Sequence, residues 1–257
     1  MKLVLGFSRG GTHLLWTLLA SHPELLCPQI ELNDYVGRGR HGLINKLLLE
    51  FGSIARIPAL SRASKNLSAL PTAGNVVHKG VSSWARSNLF RILRRHDVTK
   101  YVPGLLPSLS GAIVILVKSP EQQIASWMRR GCSIAEGERA YLEHVAHWGR
   151  ISRIHPVAFL RYDDFAGDPA GVCEAIWRLW RVSPVEFPAT FVFAPKASQF
   201  SQTWPEAGSA ERTWVRAETS AIVESLRRSV AVPAREHPRL AANVWEQYEN
   251  IDFLSLP

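Results

Sequence analysis

Cysteine is scarce. The 257-residue chain has three, Cys27, Cys132 and Cys173, far apart and outside any Cys-x-x-Cys or Cys/His cluster. That count and spacing suggest neither a disulfide framework nor a zinc site, and the three read as ordinary, partly buried thiols. Long apolar runs are missing too. The longest is about Ala112 to Val117, far short of the roughly 20 residues that span a bilayer. Met1-Lys2 leads straight into Leu3-Val4-Leu5, with no charged leader, long apolar core or small-residue cleavage site, so a cytoplasmic location is the expectation. There is no internal repeat or low-complexity tract. Acidic residues are in deficit, 22 against 30 basic ones, for a formal charge of +8. That surplus points to an anionic partner without distinguishing nucleotide, nucleic acid, lipid or acidic substrate.

What is present is a core-forming composition, 46% apolar, and a chain of this length buries its core as one domain, expected over residues 1–257. Leu3 to Phe7 is a short apolar run ended by glycines, and Leu14, Leu15, Leu18 and Leu19 follow at helical spacing, which predicts strand, loop, helix. The pattern recurs. Ala112 to Val117 meets Lys118-Ser119-Pro120 and a helical stretch from Glu121 to Arg130. Val157 to Leu160 precedes Asp168-Pro169 and a helix carrying Val172, Ile176 and Leu179. Asn75 to Lys79 reads as a shorter strand before a helix through Trp84 to Arg95, and weaker helical signals lie near Ala210 to Ser229 and Arg239 to Glu249. Strands alternating with helices predict an α/β fold, a mostly parallel sheet flanked by helices, with ligands beyond the carboxyl ends of the strands. Gly37 to Ala73 reads as a basic insertion or lid: between Gly37 and Leu70, Arg38, Arg40, Lys46, Arg56, Arg62 and Lys65 face only Glu50.

The segment Gly6-Phe7-Ser8-Arg9-Gly10-Gly11-Thr12 places small residues between strand and helix, where backbone N–H groups converge on an anion at the helix's positive end. Gly6 and Gly11 have the separation of a Walker loop, but Thr12 stands where its lysine belongs and His13 where its magnesium-binding hydroxyl belongs. A magnesium nucleoside triphosphate is therefore a poor fit. Arg9 puts a cation inside the loop instead, able to neutralise a phosphosulfate without a metal.

Gly6 to Leu15 resembles the 5′-phosphosulfate loop of sulfotransferases that use 3′-phosphoadenosine 5′-phosphosulfate, with Ser8 in place of a common proline. Two further stretches resemble the same family in the same order. Lys118, Pro120 and Ser126 have the spacing of its 3′-phosphate motif, lysine replacing arginine. Lysine keeps the charge and loses the bidentate fork. Phe159 to Phe165, followed by Asp168-Pro169, matches its strand-end Arg-Tyr-Glu-Asp pattern, with Asp163 for the glutamate. The resemblance implies a P-loop-like topology. It also implies that Ser8, Gly10, Gly11, Thr12 and His13 hold the phosphosulfate, that Arg9 stabilises the leaving phosphate oxygen, and that Lys118 and Ser126 bind the 3′-phosphate. Tyr162 would contact adenine, and Arg129 and Arg130 would add charge. His78 occupies the place of the family's base and Lys79 would bind sulfuryl oxygens, with His13 as the rival base. Lys196, Ser198 and Trp204 are loose candidates for closing the nucleotide site. Adenosine 3′,5′-bisphosphate is the implied product, with no metal required. The acceptor would be a small molecule, a glycan or a lipid-linked group, and no nucleic-acid partner is expected. A degenerate kinase and a nonenzymatic anion-binding module remain the rival readings.

Overall fold

Five consecutive apolar residues, Ile113-Val114-Ile115-Leu116-Val117, are each fully buried, as a strand covered on both faces requires. In the computed structural model, which describes residues 1–8, 10–19, 21–26, 32, 74–82, 102–187, 190–193, 215–218 and 238–255, this run is β3, Ile113–Val117. It lies beside β1, Lys2–Gly6, in a four-stranded sheet with β2, Val77–Lys79, and β4, Val157–Arg161. The order is β2-β1-β3-β4, and every pairing is parallel, with Leu3 opposite His78, Leu5 opposite Ile115 and Ile115 opposite Phe159.

Alternation along the strands sorts side chains into two cores. Leu3, Leu5, Phe7, Ile113, Ile115 and Val117 pack with Ile124, Trp127, Tyr141, Val145, Trp148 and Val244. These come from α3, Pro120–Met128, α4, Ile134–Ser152, and α7, Ala242–Glu249, numbered after the short α2, Val102–Leu105. Val4, Val77, Val114 and Leu116 meet Leu15, Trp16, Leu18 and Leu19 of α1, Thr12–Leu19. The same core takes Phe165 of α5, Tyr162–Gly167, and Val172, Ile176 and Trp177 of α6, Pro169–Leu179. The helices after β1 and β3 thus leave toward opposite faces. Adjacent strands whose connections diverge in this way open a crevice at their carboxyl ends, where ligands of such sheets bind.

Phe7 anchors the first core at the edge of that crevice, its ring 4.8 Å from Tyr141, 4.6 Å from Trp148 and 5.3 Å from Trp127. α4, 19 residues long, starts in a reciprocal Ser133/Glu136 capping box and buries Ala140, Tyr141, His144, Val145, Trp148 and Ile151 along one face. The C-terminal residues close the outer edge of β4: Phe253 bridges Phe159, Leu254 N–H donates to the Phe159 carbonyl at 2.8 Å, and the Arg161 guanidinium lies 4.5 Å from the Phe253 ring. An edge so covered offers no free ladder.

The structure adds α2, α4, α5 and a strand at Thr190–Phe193, none of them among the sequence expectations, and it departs from two of those expectations. Within the expected helix at Ala210 to Ser229, Val215–Glu218 forms β6, antiparallel to β5, Thr190–Phe193. Pairing with the β-branched and aromatic run Thr190-Phe191-Val192-Phe193 overrides the local helical composition. The expected helix from Arg239 begins three residues later, at Ala242. The segments expected to form a lid at 37–73 and a helix at 84–95 lie outside the described residues, as does Cys27. Cys132 and Cys173 are buried, and burial, with Asp168 adding, pushes the Cys173 thiol up, away from its reactive thiolate. No helix among the described residues is long and apolar enough to cross a membrane.

Removing three carbons from the centre of β3 leaves a cavity in the first core that its packed neighbours only partly fill. Ile115→Ala is expected to cost about 2–5 kcal/mol in a denaturant melt, and a loss below about 0.5 kcal/mol would contradict the burial of that face in the first core.

Candidate functional site

Where β1 ends at Gly6 the chain is pinned from both sides. On one side Phe7 bridges Ser82. Ser8 N–H donates to the Ser82 carbonyl at 2.7 Å, and Ser82 N–H donates to the Gly6 carbonyl at 2.9 Å. On the other, the Ser8 carbonyl accepts from Gln123 Nε2 and Trp127 Nε1 of α3, each at 3.0 Å. Gly10 N–H then donates back to the Phe7 carbonyl at 2.9 Å, closing a tight turn into α1. Its glycine positions have no room for side chains. A Cβ on Gly6 would come within 2.7 Å of the Leu116 carbonyl oxygen, and one on Gly10 within 2.9 Å of the Phe7 carbonyl oxygen. Gly11 has φ +85°, and a Cβ there would run into the Tyr162 ring. The first turn of α1 holds no acidic residue, so the positive end of the helix faces this bare backbone unneutralised.

Two lysines line the crevice beside the loop. Lys79, 4% exposed, ends β2. Its ammonium donates to His13 Nδ1 at 2.8 Å and stands 5.3 Å from the Trp16 ring. Lys118, 6% exposed, follows β3, with its ammonium 4.3 Å from the centre of the Tyr162 ring. Its carbonyl accepts the Tyr141 hydroxyl at 2.9 Å, a phenol whose pKa is raised by burial first and Tyr248 second. Tyr162 opens α5 and lies against Gly11, so Lys118, Tyr162 and the glycine loop form one continuous surface. Behind it, burial and then the Asp163 carboxylate push the Tyr248 phenol up to about 12, against the opposing pull of Arg161.

Ser8, Gly10, Gly11, Thr12, His13, Lys79, Lys118 and Tyr162 are therefore gathered at adjacent strand ends. Ser126 is half-buried on α3. It shares a helix face with Gln122, whose amide donates to Asp163 Oδ1 at 3.3 Å, so that face looks toward the start of α5. His78 is placed differently. It is fully buried and opposite Leu3, on the face of β2 away from Lys79 and His13, because neighbouring residues of a strand point to opposite sides. Arg129 and Arg130 are exposed at the end of α3. Arg9, Lys196, Ser198 and Trp204 lie outside the described residues.

Gln123, Trp127 and Ser82 were not foreseen. The available signal was Gln123 next to Ile124 in the stripe that buries Trp127: a polar side chain at a core position calls for a partner. The partner is a carbonyl 115 residues earlier in the chain. Within the loop, Ser8 Oγ is buried without a hydrogen-bond partner among the described residues, as is Gln123 Oε1.

This fold recurs in a solved structure. The sulfotransferase domain from the curacin biosynthetic pathway superposes over 100% of this chain and 98% of that one, with a TM-score of 0.52 and 15% identity. The chain therefore has a sulfotransferase-like fold. More distant likenesses are the sulfotransferase domain from the Synechococcus PCC 7002 olefin synthase, TM-score 0.46 with 16% identity over 100% of this chain and 95% of that one, and a sulfotransferase from Alicyclobacillus acidocaldarius, TM-score 0.42 with 15% identity over 70% and 80%. No family model and no curated protein matches the chain.

Gly11→Ala forces a β-carbon into the Tyr162 ring at a positive φ, and is expected to cost about 1–3 kcal/mol in chemical denaturation. Gly149→Ala, in α4 where an added Cβ meets nothing within 4 Å, is expected to be neutral or to stabilise by up to about 1 kcal/mol. Equal effects of the two would contradict the loop geometry.

Proposed function

We propose that this chain is a sulfotransferase that moves the sulfuryl group of 3′-phosphoadenosine 5′-phosphosulfate to a hydroxyl or amine of an acceptor, releasing adenosine 3′,5′-bisphosphate. The observation that carries the reading is the continuous surface of Gly11, Tyr162 and Lys118 beside the open end of α1. It sets an aromatic ring and a cation beside a bare-backbone anion site, the groups that a nucleotide phosphorylated at both ends of its ribose calls for. The residues present suit that substrate. Backbone N–H groups at the start of α1 and the buried Ser8 hydroxyl receive the phosphosulfate oxygens, Lys118 and Ser126 the 3′-phosphate, and the Tyr162 ring the base.

In the transfer the bond from sulfur to the 5′-phosphate oxygen breaks while a new bond forms from sulfur to the acceptor atom. Negative charge gathers on the departing phosphate, where the α1 N-terminus offsets it, with the Arg9 guanidinium as the cation the sequence supplies for the same charge. The acceptor's proton needs a base. We assign that role to His13 rather than His78, which the sheet buries on the far face of β2. Lys79, an ammonium, can only donate, so its hydrogen bond occupies the His13 Nδ1 lone pair. When the sulfuryl oxygens draw Lys79 away, that lone pair is released for the acceptor proton.

With radiolabelled donor, Arg9→Ala is expected to lower kcat about 10²–10³-fold, the usual cost of losing one oxyanion-stabilising group, with an unchanged thermal melt. Lys118→Ala should mainly raise the donor's KM. Near-normal turnover of Arg9→Ala would remove the proposed mechanism, and unchanged donor affinity in Lys118→Ala would remove the 3′-phosphate assignment.

A further inference from the structure

α3 touches both ends of the proposed donor site. Its chain enters at Lys118 and Ser119-Pro120, beside the Tyr162 ring. One turn on, Gln123 and Trp127, four residues apart on one face and both fully buried, donate to the same carbonyl oxygen, that of Ser8. Two donors on one buried acceptor is an expensive arrangement to lose, since removing either leaves polar atoms in the core without replacement by water. Gln123 is also in close contact with the turn itself: its Oε1 lies 3.2 Å from the point a Cβ on Gly10 would occupy. On the opposite edge, the N–H of the same Ser8 residue is held by Ser82. Ser8 is thus held through its N–H by Ser82 and through its carbonyl by α3, just ahead of the turn that Gly10 N–H closes on the Phe7 carbonyl.

We infer that Gln123 and Trp127 are positioning residues that aim the phosphosulfate loop through the Ser8 carbonyl, so that the helix carrying Ser126 of the 3′-phosphate site also sets the 5′ subsite. This rests on the donor reading above. Neither side chain is asked to touch the nucleotide. The expected signature is therefore specific to one end of the ligand, a pattern that a general loss of packing does not produce.

The test compares two ligands on the full chain by calorimetry. Adenosine 3′,5′-bisphosphate engages both subsites, and adenosine 3′-monophosphate engages the adenine and 3′ subsites only. Gln123→Met and Trp127→Phe, singly and together, keep apolar volume against Phe7 and delete the two donors. Losing one to two net hydrogen bonds that hold the loop is expected to weaken bisphosphate binding about tenfold or more in the double variant, with monophosphate binding changed less than about threefold. Equal weakening of both ligands, or no weakening of either, overturns the inference. If the double variant fails to fold, the single Gln123→Met must show the same one-ended loss, in smaller measure. A wild-type chain that binds neither nucleotide instead removes the underlying donor reading, a failure visible before any variant is made.

Discussion

The backbone of Ser8, held through both its N–H and its carbonyl, is the constraint on which the site depends. A loop that offers bare backbone to an anion gains no rigidity from its own side chains, and glycines cost the most conformational entropy to hold still. Here the order is imported. Phe7 is buried among Tyr141, Trp148 and Trp127, Ser82 takes the Ser8 N–H from the β2 side, and Gln123 and Trp127 take its carbonyl from the α3 side. The first core and the chain leaving β2 thereby bear on a single turn, and the crevice between β1 and β3 keeps its shape through packing that lies outside it.

The same arrangement explains the charges. A Walker loop supplies its cation from the helix, at the position Thr12 holds here. In this chain the cations come from elsewhere: Arg9 within the loop by sequence, Lys79 at the end of β2, and Lys118 after β3. Lys79 and Lys118 are nearly buried, which strengthens their field at a bound anion relative to surface lysines. Their ring contacts, Lys79 with Trp16 and Lys118 with Tyr162, offset part of the cost of holding an ammonium out of water.

Much of this was legible in the sequence, for a definite reason. Strand, loop and helix around Gly6, Lys118 and Asp168 are local patterns, and their order along the chain implied a parallel sheet with its loops at one end. The residues gathered there follow from that implication. What was illegible depends on distant pairing. The role of His78 turns on strand parity, since one residue's shift decides whether it or Lys79 faces α1. β6 forms by tertiary pairing with β5 against local helical composition. Gln123 and Trp127 resemble ordinary members of an amphipathic helix until the Ser8 carbonyl is brought to them. α4 carries clear caps and an apolar face, and Gly137 and Gly149, each the fourth residue from an end, interrupt an otherwise plain helical signal.

The claim at the centre is that the crevice takes a nucleotide phosphorylated at both the 3′ and 5′ positions, and not a magnesium nucleoside triphosphate. Calorimetric titration of the wild-type chain decides it, with adenosine 3′,5′-bisphosphate in the presence of chelator on one arm and magnesium adenosine triphosphate on the other. The account predicts that the bisphosphate binds without divalent metal and at least about tenfold more tightly than the triphosphate, a preference that one additional well-placed phosphate contact supplies. Magnesium-dependent triphosphate binding with no bisphosphate affinity would contradict it.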